Sequence, residues 1–153
     1  MSRVQLALNV SDLDQAIDFY SKLFDAQPAK VRPGYANFAV AEPPLKLVLI
    51  EDPEATTRLN HLGVEVADTD AVDAATSRLQ TQGLPTATEE SVECCFARQD
   101  KVWVDGPDGE PWEIYTVLGD AEHPHGQLRT VAPDGKATCC APSGADAATS
   151  SCC

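Results

Sequence analysis

Apolar positions change their period several times along the chain, and each change marks an element. Val4 to Val10 is a short apolar run closed by Ser11-Asp12, which predicts a strand. Ser11 reads as a helix N-cap with Asp14 three residues on. Leu13, Ile17, Tyr20 and Phe24 then recur at helical spacing and predict an amphipathic helix to about Phe24. Pro28 and the Pro33-Gly34 turn punctuate the next stretch, so strands are expected near Ala29–Arg32, Tyr35–Val40 and Lys46–Glu51.

The same order then repeats. Shifted by 56 residues, VQLALNVSDLDQAIDFYSKL falls on NHLGVEVADTDAVDAATSRL, setting Val10 on Val66, Asp12 on Asp68 and Leu23 on Leu79. The second helix carries smaller residues, Val72, Ala75 and Leu79, on its inner face. After Gly83 and Pro85, strands are expected near Pro85–Glu89, Lys101–Val104 and Trp112–Val117. Neither strand–helix–three-strand half could bury its sheet face alone. The pattern therefore predicts an α+β fold of two βαβββ repeats, about 1–53 and 58–118, forming a curved open-barrel mixed sheet around a cleft. Residues 119–153 are rich in Ala, Gly, Ser, Pro and Thr without a periodic apolar face, and are expected to be a disordered, mobile tail.

Composition narrows the class of partner. A chain of 153 residues, 43% apolar, is large enough for one domain with a core. A formal net charge of -13 argues against nucleic acid and anionic membrane, which need clustered Lys and Arg. The N-terminus MSRVQLALNV lacks the pattern of a secretory signal, and no apolar run is long enough to span a bilayer. A cytoplasmic location is expected.

The candidate chemistry comes from strand parity. Gln5, Ala7 and Asn9 share one face of the first strand, opposite Leu6, Leu8 and Val10. The repeat sets Gln5 on His61, which shares a face with Gly63 and Glu65, and in the last strand Glu113 and Tyr115 take the cleft-facing parity. One imidazole, one carboxylate and one amide oxygen on three strands suit a divalent first-row metal. The first-half counterpart of Glu113 falls near Lys46 or Leu47, neither of them acidic. Three ligands on one side leave positions open for substrate or dioxygen, the logic of the facial triad of non-heme iron enzymes.

Six cysteines fall as three adjacent pairs, Cys94–Cys95, Cys139–Cys140 and Cys152–Cys153. A disulfide between neighbours closes a strained ring, so reduced thiols for metal binding or reactivity are the better reading. Cys94 and Cys95 are expected in the loop before the Lys101–Val104 strand, over the cleft. A pair of small buried residues is the plain alternative, and two further doublets in the tail weigh against it. Adjacent thiolates suit soft thiophilic ions such as trivalent arsenic, cadmium or cuprous copper. Lys101 reads as a solvated lysine at a strand start, or as a cation near enough to assist an anionic intermediate or substrate group.

With the βαβββ repeat, first-strand Gln5 and His61, and the ending DGPDGEPWEIY, residues 3 to 118 resemble the vicinal oxygen chelate superfamily. That group includes glyoxalase I, extradiol dioxygenases and antibiotic-resistance binding proteins. The additional Glu expected of glyoxalase I in the first half's last strand is missing, which counts against that activity. With the thiol pair added, the chain is similar to the Fe(II)- and dioxygen-dependent organoarsenical carbon–arsenic lyases and the related cadmium-induced proteins. The resemblance implies Gln5, His61 and Glu113 as Fe(II) ligands, and Cys94 and Cys95 as the substrate-binding pair. It implies cleavage of trivalent methyl- or aryl-arsenicals to arsenite, a detoxification. The tail pairs would relay or scavenge arsenic, and by analogy with the fold two chains would pair as a homodimer. Two rivals stand beside it: a thiol-based arsenic- or cadmium-sequestering protein without turnover, and a glyoxalase-like metal-dependent isomerase.

Overall fold

The computed structural model describes residues 2–94, 96–121, 129–131 and 137–139, with only the backbone at Cys94 and in the last two segments. Cys95, Cys140, Cys152 and Cys153 lie outside the described residues.

The first half is β1 (Arg3–Val10), α1 (Leu13–Phe24), β2 (Lys30–Arg32), β3 (Tyr35–Val40) and β4 (Leu45–Glu51). The second is β5 (Leu59–Glu65), α2 (Thr69–Thr81), β6 (Ala87–Cys94), β7 (Ala97–Asp105) and β8 (Pro111–Asp120). The helices begin where a carboxylate can satisfy the first free backbone N–H groups. Asp12 accepts from the Gln15 N–H and Asp68 from the Ala71 N–H. The N-cap of α1 is therefore Asp12, not Ser11, and the two caps stand at equivalent places in the repeat.

All eight strands join one curved mixed sheet in the order β2-β3-β4-β1-β5-β8-β7-β6. β1 runs parallel to β4 and β5 parallel to β8, while β1 and β5 meet antiparallel in the middle. The halves are thus related by an approximate two-fold axis between β1 and β5, as expected for two βαβββ repeats. Each helix packs on the convex face over alternate strand residues. Leu13 of α1 joins Phe38, Val40, Leu47 and Leu49, with Leu6, Leu8 and Val10 beside them. Under α2 the smaller set is Val72, Leu79 and Val102, flanked by Val66, Val104 and Ile114.

β7 starts four residues earlier than expected and β6 runs on to Cys94, so these two strands form a long hairpin. Cys94, expected in a loop, is the last residue of β6 and is paired with Ala97. Phe96 at the tip has φ 61, a left-handed conformation unfavourable for a large side chain, and is buried against Tyr35. It joins Ala7, Val48 and Ile50 there, so the tip folds back over the concave side of the first half. Lys30 donates to the Phe96 carbonyl at 3.2 Å and also pairs with Asp120, tying the tip to β2 and to the end of β8. The sheet therefore runs two residues past the boundary expected near 118. Beyond it, β9 (Arg129–Val131) and β10 (Ala137–Cys139) pair antiparallel in a small second sheet. No described helix is long and apolar enough to cross a membrane.

Candidate metal centre

The concave face opposite the helices is polar at its centre. The register sets Gln5 beside Gly63 across β1 and β5, and Gly63 beside Glu113 across β5 and β8. A residue with no side chain thus lies between two functional ones. A Cβ at Gly63 would sit 3.1 Å from Glu113 Cγ and 3.3 Å from Gln5 Cβ and Nε2. Gly63→Ala is expected to cost about 1–3 kcal/mol by overpacking. Gly119→Ala, whose Cβ meets nothing within 4 Å, should stay within about 0.5 kcal/mol of wild type. Urea unfolding of the two variants checks this, and equal stabilities would show that the site is not close-packed at Gly63.

Gln5, His61 and Glu113 are all buried, and their ends converge. Gln5 Nε2 lies 2.9 Å from His61 Nε2 and 2.6 Å from Glu113 Oε1, and His61 Nε2 lies 3.2 Å from the same Oε1. Among the described residues no three His, Cys, Asp or Glu side chains group around one point, because the third member here is an amide. Three ligand atoms on one face of an octahedron with bonds of about 2.1 Å are spaced about 3 Å apart. The observed triangle fits a first-row divalent ion. The Gln5 amide has nitrogen at one end and oxygen at the other in nearly the same shape, so either can face the centre.

Neighbours that sequence reasoning passes over orient these three groups. Between Ala7 and Leu8 the β1–β5 register slips by one, making Asn60 a bulge residue. Simple alternation would send Asn60 to the helix side, whereas the bulge turns it beside His61. Asn9 donates to the Thr57 carbonyl at 2.9 Å, and Asn60 donates to Asn9 Oδ1 at 2.8 Å. A carbonyl can only accept, so this chain fixes both amides and presents Asn60 Oδ1 to His61 Nδ1 at 2.7 Å. The proton of a neutral imidazole is thereby held on Nδ1, and the Nε2 lone pair is left facing the centre, as a metal ligand requires. The only sequence signal is an Asn pair, Asn9 near the end of one strand and Asn60 near the start of the next.

Lys101 is fully buried and donates to Glu113 Oε2 at 2.7 Å. The solvated strand-start reading is overturned, because β7 starts at Ala97 and Lys101 sits inside the sheet. Burial alone would push the Glu113 carboxyl up. The Lys101 ammonium, with His61 beside it, outweighs burial and holds that carboxyl well below the usual range. Lys101 also lies 5.2 Å from the Trp103 ring centre, and Trp103 meets His61 edge-on at 5.5 Å. Further in, Tyr115 OH reaches Gln5 Oε1 at 2.5 Å and Glu65 Oε2 at 3.0 Å. Arg3 and Lys46 neighbour Glu65 at 3.1 and 3.5 Å.

The register corrects the first-half counterpart of Glu113. Gly63 pairs with Glu113 as Ala7 pairs with Val48, so the equivalent residue is Val48, buried and apolar, rather than Lys46 or Leu47. A second carboxylate from the first half is absent at that place. Of the thiol pair, Cys94 holds the register position opposite Ala97, on the parity of Gln99 and Lys101, and Cys95 lies outside the described residues. Among the described residues, Gln99 Oε1 on that same strand is a buried acceptor without a hydrogen-bond partner.

The model of the Glyoxalase/Bleomycin resistance protein/Dioxygenase superfamily matches residues 3–114. A trivalent organoarsenical cleaving enzyme of Thermomonospora curvata is 60% identical over 143 residues, covering 93% of this chain and 90% of that one. The cadmium-induced protein CadI of Mycobacterium tuberculosis is 59% identical over 141 residues, covering 92% and 93%. Among solved structures, the Mn(II)-bound glyoxalase of Novosphingobium aromaticivorans aligns with TM-score 0.57 at 21% identity, covering 82% of this chain and 43% of that one. Homoprotocatechuate 2,3-dioxygenase of Arthrobacter globiformis aligns with TM-score 0.56 at 19% identity, covering 77% and 36%. At those identities the likeness is one of fold. The chain belongs to the glyoxalase, bleomycin resistance protein and dioxygenase superfamily, in the branch that holds the organoarsenical cleaving enzymes and the cadmium-induced proteins.

Proposed function

We propose that this protein is an enzyme that cleaves the carbon–arsenic bond of trivalent organoarsenicals and releases arsenite. Gln5, His61 and Glu113 would hold a divalent metal, and Cys94 and Cys95 the arsenic. The observation that carries the reading is the buried triangle of donor atoms with edges of 2.6 to 3.2 Å, two of whose members, His61 and Glu113, belong to the same half of the sheet as β6, the strand that ends at Cys94. The names of the relatives supply the substrate class. Fe(II) is the metal proposed, and when bound it would supply activation of dioxygen, the co-reactant.

The chain's own residues prepare that chemistry. The two thiols displace the exchangeable hydroxyls of R–As(OH)2 as water, forming two As–S bonds and leaving the As–C bond as the remaining one. Lys101 occupies Glu113 Oε2, so only Oε1 faces the centre. Asn60 keeps the His61 lone pair inward. Trp103 and Tyr115 are buried beside the ligands and keep water from their flanks. The domain boundary near 118 would move to the end of β8 at Asp120, with the residues beyond it as a thiol-bearing extension.

The experiment is incubation of the ferrous protein with a trivalent organoarsenical with and without dioxygen, reading arsenite. Release that needs both iron and dioxygen is expected. Equal release without dioxygen would overturn the oxygenase reading. The name of the CadI relatives favours a second reading, sequestration by thiol pairs without turnover. Stoichiometric binding with no arsenite under any condition would establish it. A glyoxalase-like isomerase is disfavoured by Val48 at the place a fourth ligand would take.

A further inference from the structure

A single proton on Tyr115 faces two acceptors. Its hydroxyl lies 2.5 Å from Gln5 Oε1 and 3.0 Å from Glu65 Oε2. Tyr115 is fully buried. Burial would raise the Glu65 carboxyl, but Lys46 and then Arg3 outweigh it and keep it low, an acceptor only. One hydroxyl cannot donate along both lines at once. With the hydroxyl donating to Gln5 Oε1, the amide N–H2 points at Glu113 and His61, and Glu65 goes without its phenol donor. Turning the amide over resolves both. Gln5 Nε2 then donates to the Tyr115 oxygen, Tyr115 donates to Glu65, and Gln5 Oε1 joins His61 Nε2 and Glu113 Oε1 as a third acceptor facing the centre. Three converging acceptors call for a cation.

We propose that Tyr115, backed by Glu65 and its cations Arg3 and Lys46, is the positioning residue that turns the Gln5 amide oxygen toward the metal. The hydroxyl acts as a two-position donor. It faces Gln5 while the amide nitrogen fills the centre, and swings to Glu65 when a metal replaces that nitrogen. No covalent bond within the protein is made or broken; the amide and the hydroxyl rotate and exchange hydrogen-bond partners. The device parallels the one at His61, where Asn60 holds the ring proton on Nδ1 and leaves Nε2 facing the centre.

The inference rests on Gln5 as a metal ligand, so its test separates the two ideas. Mn(II), which does not oxidise during titration, is the probe, and its affinity is measured for wild type, Gln5→Ala, Tyr115→Phe, Gln5→Glu and the Gln5→Glu/Tyr115→Phe double variant. Tyr115→Phe is expected to weaken binding by about 10- to 100-fold, the usual effect of removing an outer partner of a ligand. In the Gln5→Glu background both ends of the ligand are oxygen, and the same change should cost less than about threefold, a coupling that a merely structural tyrosine would not show. Glu65→Gln keeps an acceptor for the phenol but a neutral one, and should weaken binding by about 3- to 10-fold. It serves as the probe if Tyr115→Phe does not fold. Equal losses from Tyr115→Phe in the wild-type and Gln5→Glu backgrounds, or no loss from it at all, overturn the proposal while leaving Gln5 a ligand. Unchanged affinity in Gln5→Ala, or no binding by wild type, overturns both.

Discussion

Replacing both Cys94 and Cys95 by serine is expected to bring arsenite release below detection while Mn(II) or Fe(II) still binds. Serine keeps nearly the shape of cysteine and exchanges a soft thiolate for a hard hydroxyl that stays protonated at neutral pH. Trivalent arsenic prefers sulfur strongly, so the pair of hydroxyls cannot compete with water for it. Metal binding is expected to persist because the triangle of Gln5, His61 and Glu113 is built on β1, β5 and β8, whereas Cys94 ends β6 at the sheet's edge. Phe96 anchors the hairpin tip to the concave cluster of Tyr35, Ala7 and Val48. The fold should therefore survive the double change. Organoarsenical binding by isothermal titration and arsenite release by chromatography, each beside a metal titration, are the measurements. Full activity in the double variant would remove the thiols from the mechanism. Loss of metal binding along with activity would mean that the hairpin end and the triangle are one site and not two.

How much of this is legible in the sequence depends on whether the information is local. The 56-residue repeat sets Gln5 on His61 because both halves carry the same strand-turn-helix signal, with Asp12 and Asp68 at equivalent caps. Strand parity then assigns Gln5, His61 and Glu113 to one face, and their ends do meet. Parity fails wherever the ladder slips. Asn60 lies on the bulge of β5, and a bulge reverses the face that alternation assigns. Register across strands is equally non-local. The first-half counterpart of Glu113 is Val48, two residues beyond the Lys46 that a linear comparison suggests. The hairpin of β6 and β7 is longer than its sequence signals, because EESVECCFARQDK mixes charged and apolar residues without alternation. Lys101 consequently reads as solvated at a strand start, when it sits inside a strand against a carboxylate.

Lys101→Met carries the largest expected effect on stability, and its sign with pH is distinctive. Lys101 and Glu113 are 0% and 2% exposed, so removing the cation leaves a carboxylate buried beside His61 and Gln5. Breaking one side of a buried ion pair costs about 3–5 kcal/mol, which at this size lowers the melting temperature by about 10 °C or more. In wild type the Glu113 carboxyl is held below its ordinary value of 4.5. Its contribution to stability is therefore full above that value, and is lost as pH falls toward the lower folded value. In the methionine variant the largest opposition to burial is gone, so the folded carboxyl moves up from its wild-type position, and the penalty is present at neutral pH and relieved by protonation on acidification. The gap between the two proteins should be widest near pH 7 and should narrow steadily as pH falls through the variant's raised folded value toward the lower wild-type one. Thermal unfolding in chelator at about pH 7 and about pH 4 measures it. A gap that is small at neutral pH, or constant across that range, would mean that Glu113 does not keep its charge against Lys101. Adding Mn(II) to the variant at neutral pH should recover part of the loss, since a bound cation supplies the counter-charge that the lysine gave.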